Sequence, residues 1–107
     1  MKMLLAIINS DDSRNIMNIF MKSGFSITKL ASTGGFLHTG NVTILVGLED
    51  SRIDEAFEIL RTHCQKRSQM LPTASSLAMG LYPTMPVEVE VGGATVFVLD
   101  VERFEKL

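Results

Sequence analysis

Few residues in this 107-residue chain could do acid–base or nucleophilic chemistry, and they are poorly arranged for it. The two histidines are His38 and His63, and the one cysteine is Cys64. His63 and Cys64 are neighbours, but a zinc site ordinarily takes four ligands with paired spacing. The expected reading is therefore His63 at the exposed end of a helix and Cys64 in the core. A Cys64–His38 nucleophile pair lacks any activating motif around the cysteine. Glu88 and Glu90 stand two apart in an alternating run, so they share a strand face and read as solvated. Neither the GxxxxGK[ST] phosphate loop nor GxGxxG occurs.

The glycine-rich stretch at 33–41 offers different chemistry. Gly34, Gly35 and Gly40 free the backbone to turn N–H groups toward an anion. Phe36 and Leu37, set between glycines, have no helix or strand face to bury. They either pack into a subunit interface or form an apolar platform for a flat ligand. Asn41 is either a turn residue or an amide able to pair with an adenine edge. Thr28 and Ser26 share one strand parity, as a plain polar face or as phosphate contacts, with Lys22 and Lys29 near in sequence. Gly47, inside a strand, marks either a bulge or a place where a ligand or a second backbone comes close. This is a nucleotide-sized inventory without a catalytic acid or base.

The elements that position these residues follow from periodicity. Residues 1–8 are apolar on both parities after Lys2, as expected of a central strand covered on both faces. Residues 9–13 are rich in helix N-cap types. Ile16, Ile19 and Phe20 then share a helical face, and Gly24 stops the helix. Residues 25–31 and 42–48 read as strands flanking the glycine-rich loop. Asp50 or Ser51 can cap a second helix, on which Ile53, Ala56, Phe57, Leu60 and Cys64 form an apolar stripe. Residues 65–86 hold all three prolines and read as a long loop. Residues 87–91 alternate, Gly92-Gly93 is a hairpin-turn signal, and 94–99 return. Residues 101–107 are a short tail able to form a helical turn.

The order β-α-β-β-α-β-β predicts one α+β domain over residues 1–107. It is a ferredoxin-like βαββαβ sandwich with an additional C-terminal strand and two helices on one sheet face. The second sheet face also needs cover, and only two helices exist, so self-association is expected to supply it.

Composition sets the outer bounds. Apolar residues make up 46% and charged ones 21%, which places the chain among globular domains. A net charge of −2 argues against non-specific binding to nucleic acid or an anionic membrane, but not against a small phosphate-bearing ligand. The apolar run at the N-terminus is too short for a signal peptide and nothing approaches the ~20 apolar residues of a membrane span. One cysteine permits no internal disulfide, so a reducing, cytoplasmic setting is expected.

Thr28-Lys29-Leu30-Ala31-Ser32-Thr33-Gly34-Gly35-Phe36-Leu37, then Gly40-Asn41-Val42-Thr43, and above all the run from Pro86 through Val87-Glu88-Val89-Glu90-Val91-Gly92-Gly93-Ala94-Thr95-Val96-Phe97-Val98, resemble the PII-like cyclic di-AMP receptor proteins of Gram-positive bacteria. The likeness spans essentially the whole chain. It implies a homotrimer, a cyclic di-AMP at each subunit interface, and signalling without catalysis or cofactor. The loops at 33–41 and 65–86 would flank the ligand, and a downstream protein partner would read them. Carried over, Thr28 contacts phosphate or ribose, Gly35, Phe36 and Leu37 line the base pocket, Asn41 reads an adenine, and Gly47 allows close approach. Ser26 and His38 stand where better-known members carry arginines, each a lost charge-assisted bond of roughly 1.5–3 kcal/mol. The competing expectations are a PII-like regulator of ATP or another cyclic dinucleotide, and a small phosphate-ester hydrolase on the same fold.

Overall fold

In the computed structural model, which describes residues 1–30, 40–71 and 87–107, β1 (Lys2–Asn9) lies between two antiparallel neighbours, β3 (Asn41–Leu48) and β6 (Ala94–Asp100). Leu4 sits opposite Val46 and Val98, and Ala6 opposite Ile44 and Val96. The helix α1 (Ser10–Lys22) carries the chain over β3 to β2 (Ser26–Leu30), giving the sheet order β2-β3-β1-β6. β1 and β2 thus run parallel with β3 between them. This is the split βαβ arrangement of a ferredoxin-like fold. Successive strand residues point to opposite faces, so Leu4, Ala6, Ile8, Ile44, Val46 and Leu48 share one side. There they pack with Ile16 and Phe20 of α1 and with Ala56, Leu60 and Cys64 of, or just beyond, α2 (Ile53–His63). Both helices lie on this one face.

Local sequence explains the helix ends. The Asn9 side chain accepts a hydrogen bond from the Asp11 backbone N–H at 2.9 Å, the N-cap expected within residues 9–13. At the other end Phe25 N–H donates to Phe20 O and Gly24 N–H to Met21 O, at 2.9 and 3.0 Å. Gly24 takes the left-handed conformation this motif needs, with φ 86°. The accompanying apolar contact is Phe20 edge-on to Phe25, with ring centroids 5.2 Å apart. Arg52 stacks on the Phe25 ring at 3.9 Å and donates to Ser23 O at 2.6 Å, tying the start of α2 to the end of α1. The expected cap at Asp50 or Ser51 is not used. Residues Asp50–Arg52 form a 3₁₀ turn and the Asp50 carboxylate pairs with the Met1 amine at 3.2 Å.

The structure corrects the expected C-terminal hairpin. β5 (Val87–Val91) does not pair with β6; it pairs with β4 (Arg67–Leu71), in the register Arg67↔Val91 to Leu71↔Val87. β6 returns to the main sheet as its fourth strand, beside β1. β4 and β5 form a separate two-stranded ribbon inserted before that strand, so the first part of the segment read as a long loop is a strand. Gly92 and Gly93, with φ 86° and 73°, are the joint between ribbon and sheet. The reason is hydrogen-bond completion: the edge of β1 away from β3 needs a partner for its backbone groups, and β6 supplies it. Positive φ at two successive glycines suits a tight turn and a joint equally well. The tail after β6 forms no helix. No helix among the described residues is long and apolar enough to cross a membrane.

Candidate functional site

Strand parity leaves the sheet's other face uncovered by helices. Met3, Leu5 and Ile7 of β1 share it with Thr43, Leu45 and Gly47 of β3, Thr28 and Leu30 of β2, and Phe97 and Leu99 of β6. Leu30, Phe97 and Leu99, on the two edge strands, are 38%, 44% and 41% exposed, while Ile7 and Thr43 on the inner strands are buried. Monomeric surfaces rarely carry such a contiguous patch unless it binds something.

The described members of the expected site fall on this same face. Thr28 is opposite Leu45, Gly47 is opposite Ser26 and Met3, and Asn41 is opposite Asn9. Register runs unbroken through Gly47, so it marks no bulge, and among the described residues a Cβ there would meet only the Met1 side chain, at 3.5 Å. Gly35, Phe36 and Leu37 lie outside the described residues, as does His38. β2 ends at Leu30 and β3 begins at Asn41, so the glycine-rich segment leaves from the same end of the sheet as Asn41.

Asn41 lines a cavity of about 220 Å³ shared with Asn9, Lys66, Gly92, Gly93 and Thr95. Three segments converge here. Ser10 N–H donates to Gly40 O at 2.6 Å, joining the start of α1 to the end of the glycine-rich segment. Arg67, at the foot of the ribbon, pairs with Asp12 in the first turn of α1 at 3.2 Å and donates to Gln65 O at 3.3 Å. The ribbon is thereby tied to the helix that leads out of β1. Sequence reading missed Phe97, Lys66 and Arg67. Phe97 had a signal, the alternation of 94–99; the other two sit in a segment with no usable period.

Cys64 is not placed to act as a nucleophile. It is 3% exposed, and burial first, then the negative charge of Asp12, push its thiol up to about 11, with Arg67 opposing. His63 ends α2 with an exposed side chain, and Cys64 packs into the core, as the sequence reading had it. The raised value has a stability consequence. A thiol kept neutral in the fold contributes fully below its unfolded pKa, near 9, and that contribution is lost as pH rises toward 11. In urea denaturation, the stability of the natural protein relative to Cys64→Ala should be constant up to about pH 8.5 and shrink between pH 9 and 11. A constant difference across that range would contradict the assignment.

A ferredoxin-like sheet with both described helices on one face, polar residues at one end of the other face and a two-stranded ribbon beside them is the frame of a PII-like ligand-binding protein. The family model described as cyclic-di-AMP receptor matches residues 1–107, the whole chain. The chain therefore belongs to the cyclic-di-AMP receptor family, and binding this dinucleotide is its function. A solved crystal structure of a functionally unknown protein from Pediococcus pentosaceus ATCC 25745 is similar throughout. It is 34% identical with a TM-score of 0.74, over 99% of this chain and 96% of that one.

Proposed function

We propose that the protein is a non-catalytic cytoplasmic receptor whose bare sheet faces meet in a homotrimer, with one cyclic di-AMP held at each subunit junction. Thr28, Gly35, Phe36, Leu37, Asn41 and Gly47 form the site, and no cofactor takes part. Occupancy is passed to a downstream protein through residues 33–41 and 65–86. The observation that carries this reading is that Thr28, Asn41 and Gly47, widely spaced in sequence, share the sheet face that no described helix covers, beside exposed Leu30, Phe97 and Leu99. Assembly through that face buries the apolar patch and walls the ligand in a single step.

Calorimetric titration with cyclic di-AMP, cyclic di-GMP and ATP tests the ligand, and light scattering tests the assembly. Cyclic di-AMP is expected to bind tightest and to be recovered unchanged. Asn41→Ala removes an amide that can pair in bidentate fashion with adenine, worth about 1–3 kcal/mol, so affinity should fall about 5- to 150-fold with the trimer intact. Tight binding of ATP alone would reject the ligand. Undiminished affinity in Asn41→Ala would remove that residue from the site.

A further inference from the structure

We propose that Lys66 is the residue that meets the ligand's phosphate; the inference rests on the site described above. A cyclic dinucleotide carries two negative charges, yet the bare sheet face offers no positive one. Its positions on β2 and β3 are Ser26, Thr28, Leu30, Asn41, Thr43, Leu45 and Gly47; those on β1 and β6 are Met3, Leu5, Ile7, Asn9, Thr95, Phe97 and Leu99. All fourteen are uncharged.

The chain has ten lysines and arginines, and neither 31–39 nor 72–86 contains one. All ten can therefore be followed. Lys2 pairs with Asp100, Arg52 with Glu55, Arg61 with Glu58, and Arg103 with Glu105. Arg14 and Lys29 line a groove on the helix side of the sheet, Lys22 ends α1, and Lys106 lies in the tail. Two cations remain at the end of the bare face where Asn41 stands, Lys66 and Arg67. Arg67 is held by Asp12 and by the Gln65 carbonyl.

Among the described residues Lys66 is in none of the ion pairs, and it lines the same 220 Å³ cavity as Asn41. Its stem lies across Gly93: Cγ and Cε are 3.0 and 3.4 Å from where a Cβ at that position would stand. The bare glycine thus leaves the lysine stem its path along the cavity wall. An ammonium at the rim of an otherwise uncharged pocket suits a phosphate, which accepts a charge-assisted hydrogen bond from any direction.

The test is calorimetry with cyclic di-AMP at about 50 and 300 mM salt, on the natural chain, Lys66→Ala and Lys66→Arg, with thermal melts of each. Lys66→Ala should bind about 10- to 100-fold more weakly at low salt, lose much of the salt dependence, and melt as the natural chain does. Lys66→Arg should restore most of the affinity. If the natural chain binds and Lys66→Ala matches it in affinity and salt response, the role of Lys66 is overturned while the receptor reading stands. If the natural chain binds no cyclic di-AMP, both fall together.

Discussion

Replacing Leu5 by glutamate is expected to yield a folded monomer that no longer binds cyclic di-AMP. Leu5 stands mid-strand on β1 with Leu45 on one side and Phe97 on the other, at the centre of the bare face. It points away from the helices, so the core of Leu4, Ala6 and Ile8 is untouched. In an assembly that buries this face, each subunit would have to desolvate an unpaired carboxylate, at several kcal/mol per copy. The apolar burial forgone adds about 1.5–3 kcal/mol for each leucine. Both penalties repeat in every subunit, and the carboxylates repel one another. Light scattering should report the monomer mass at micromolar concentration with circular dichroism unchanged. Calorimetry should show no heat of binding, because a junction site does not exist without the junction. A trimer that survives the substitution, or a natural chain already monomeric, would refute the covered-face reading.

The residues that make this prediction possible were readable before any coordinates, and those that complicate it were not. A strand apolar on both parities belongs inside a sheet, so β1 announced its central place. Residues 9–13 and Gly24 marked the ends of α1 because capping is local chemistry within five residues. Gly92-Gly93 misled because backbone conformation does not record which strand will pair with which. That choice is made by β1, more than eighty residues earlier, whose open edge draws in β6. The short strand 67–71 was hidden because its partner lies across the proline-bearing segment. Lys66 and Arg67 are adjacent cations of like appearance. Only the place of Asp12 in the fold separates the one engaged in an ion pair from the one left for a ligand. Thr28, Asn41 and Gly47 were legible as types of residue, but their common face required the register of two strands, β2 and β3.

Gly92→Ala is expected to be among the most damaging single-methyl additions in the chain, and comparison with Gly40→Ala separates its causes. Both glycines have positive φ, 86° and 100°, so either alanine carries backbone strain of about 1–2 kcal/mol. Around Gly40 no atom of the described residues lies within 4 Å of the added carbon. At Gly92 it would stand 2.4 Å from the Gln65 carbonyl oxygen and 2.6 Å from the Arg67 guanidinium. One of those contacts is backbone, and the other belongs to the side chain that ties the ribbon to Asp12, so relief of the clash moves the ribbon's foot. Overpacking of this kind adds about 1–3 kcal/mol. The sum, about 2–5 kcal/mol, should lower Tm by ~10 °C or more in a domain of this size. Gly40→Ala should lose about half as much or less. The functional effect should diverge further. Gly92 lines the cavity shared by Asn41 and Lys66, and its displacement should weaken cyclic di-AMP binding even where the protein is fully folded. Asp12→Asn, which loosens the same tie without adding a methyl group, should shift the ribbon at far smaller cost to stability. Equal losses in Gly92→Ala and Gly40→Ala would mean that φ alone matters and that the foot of the ribbon yields freely.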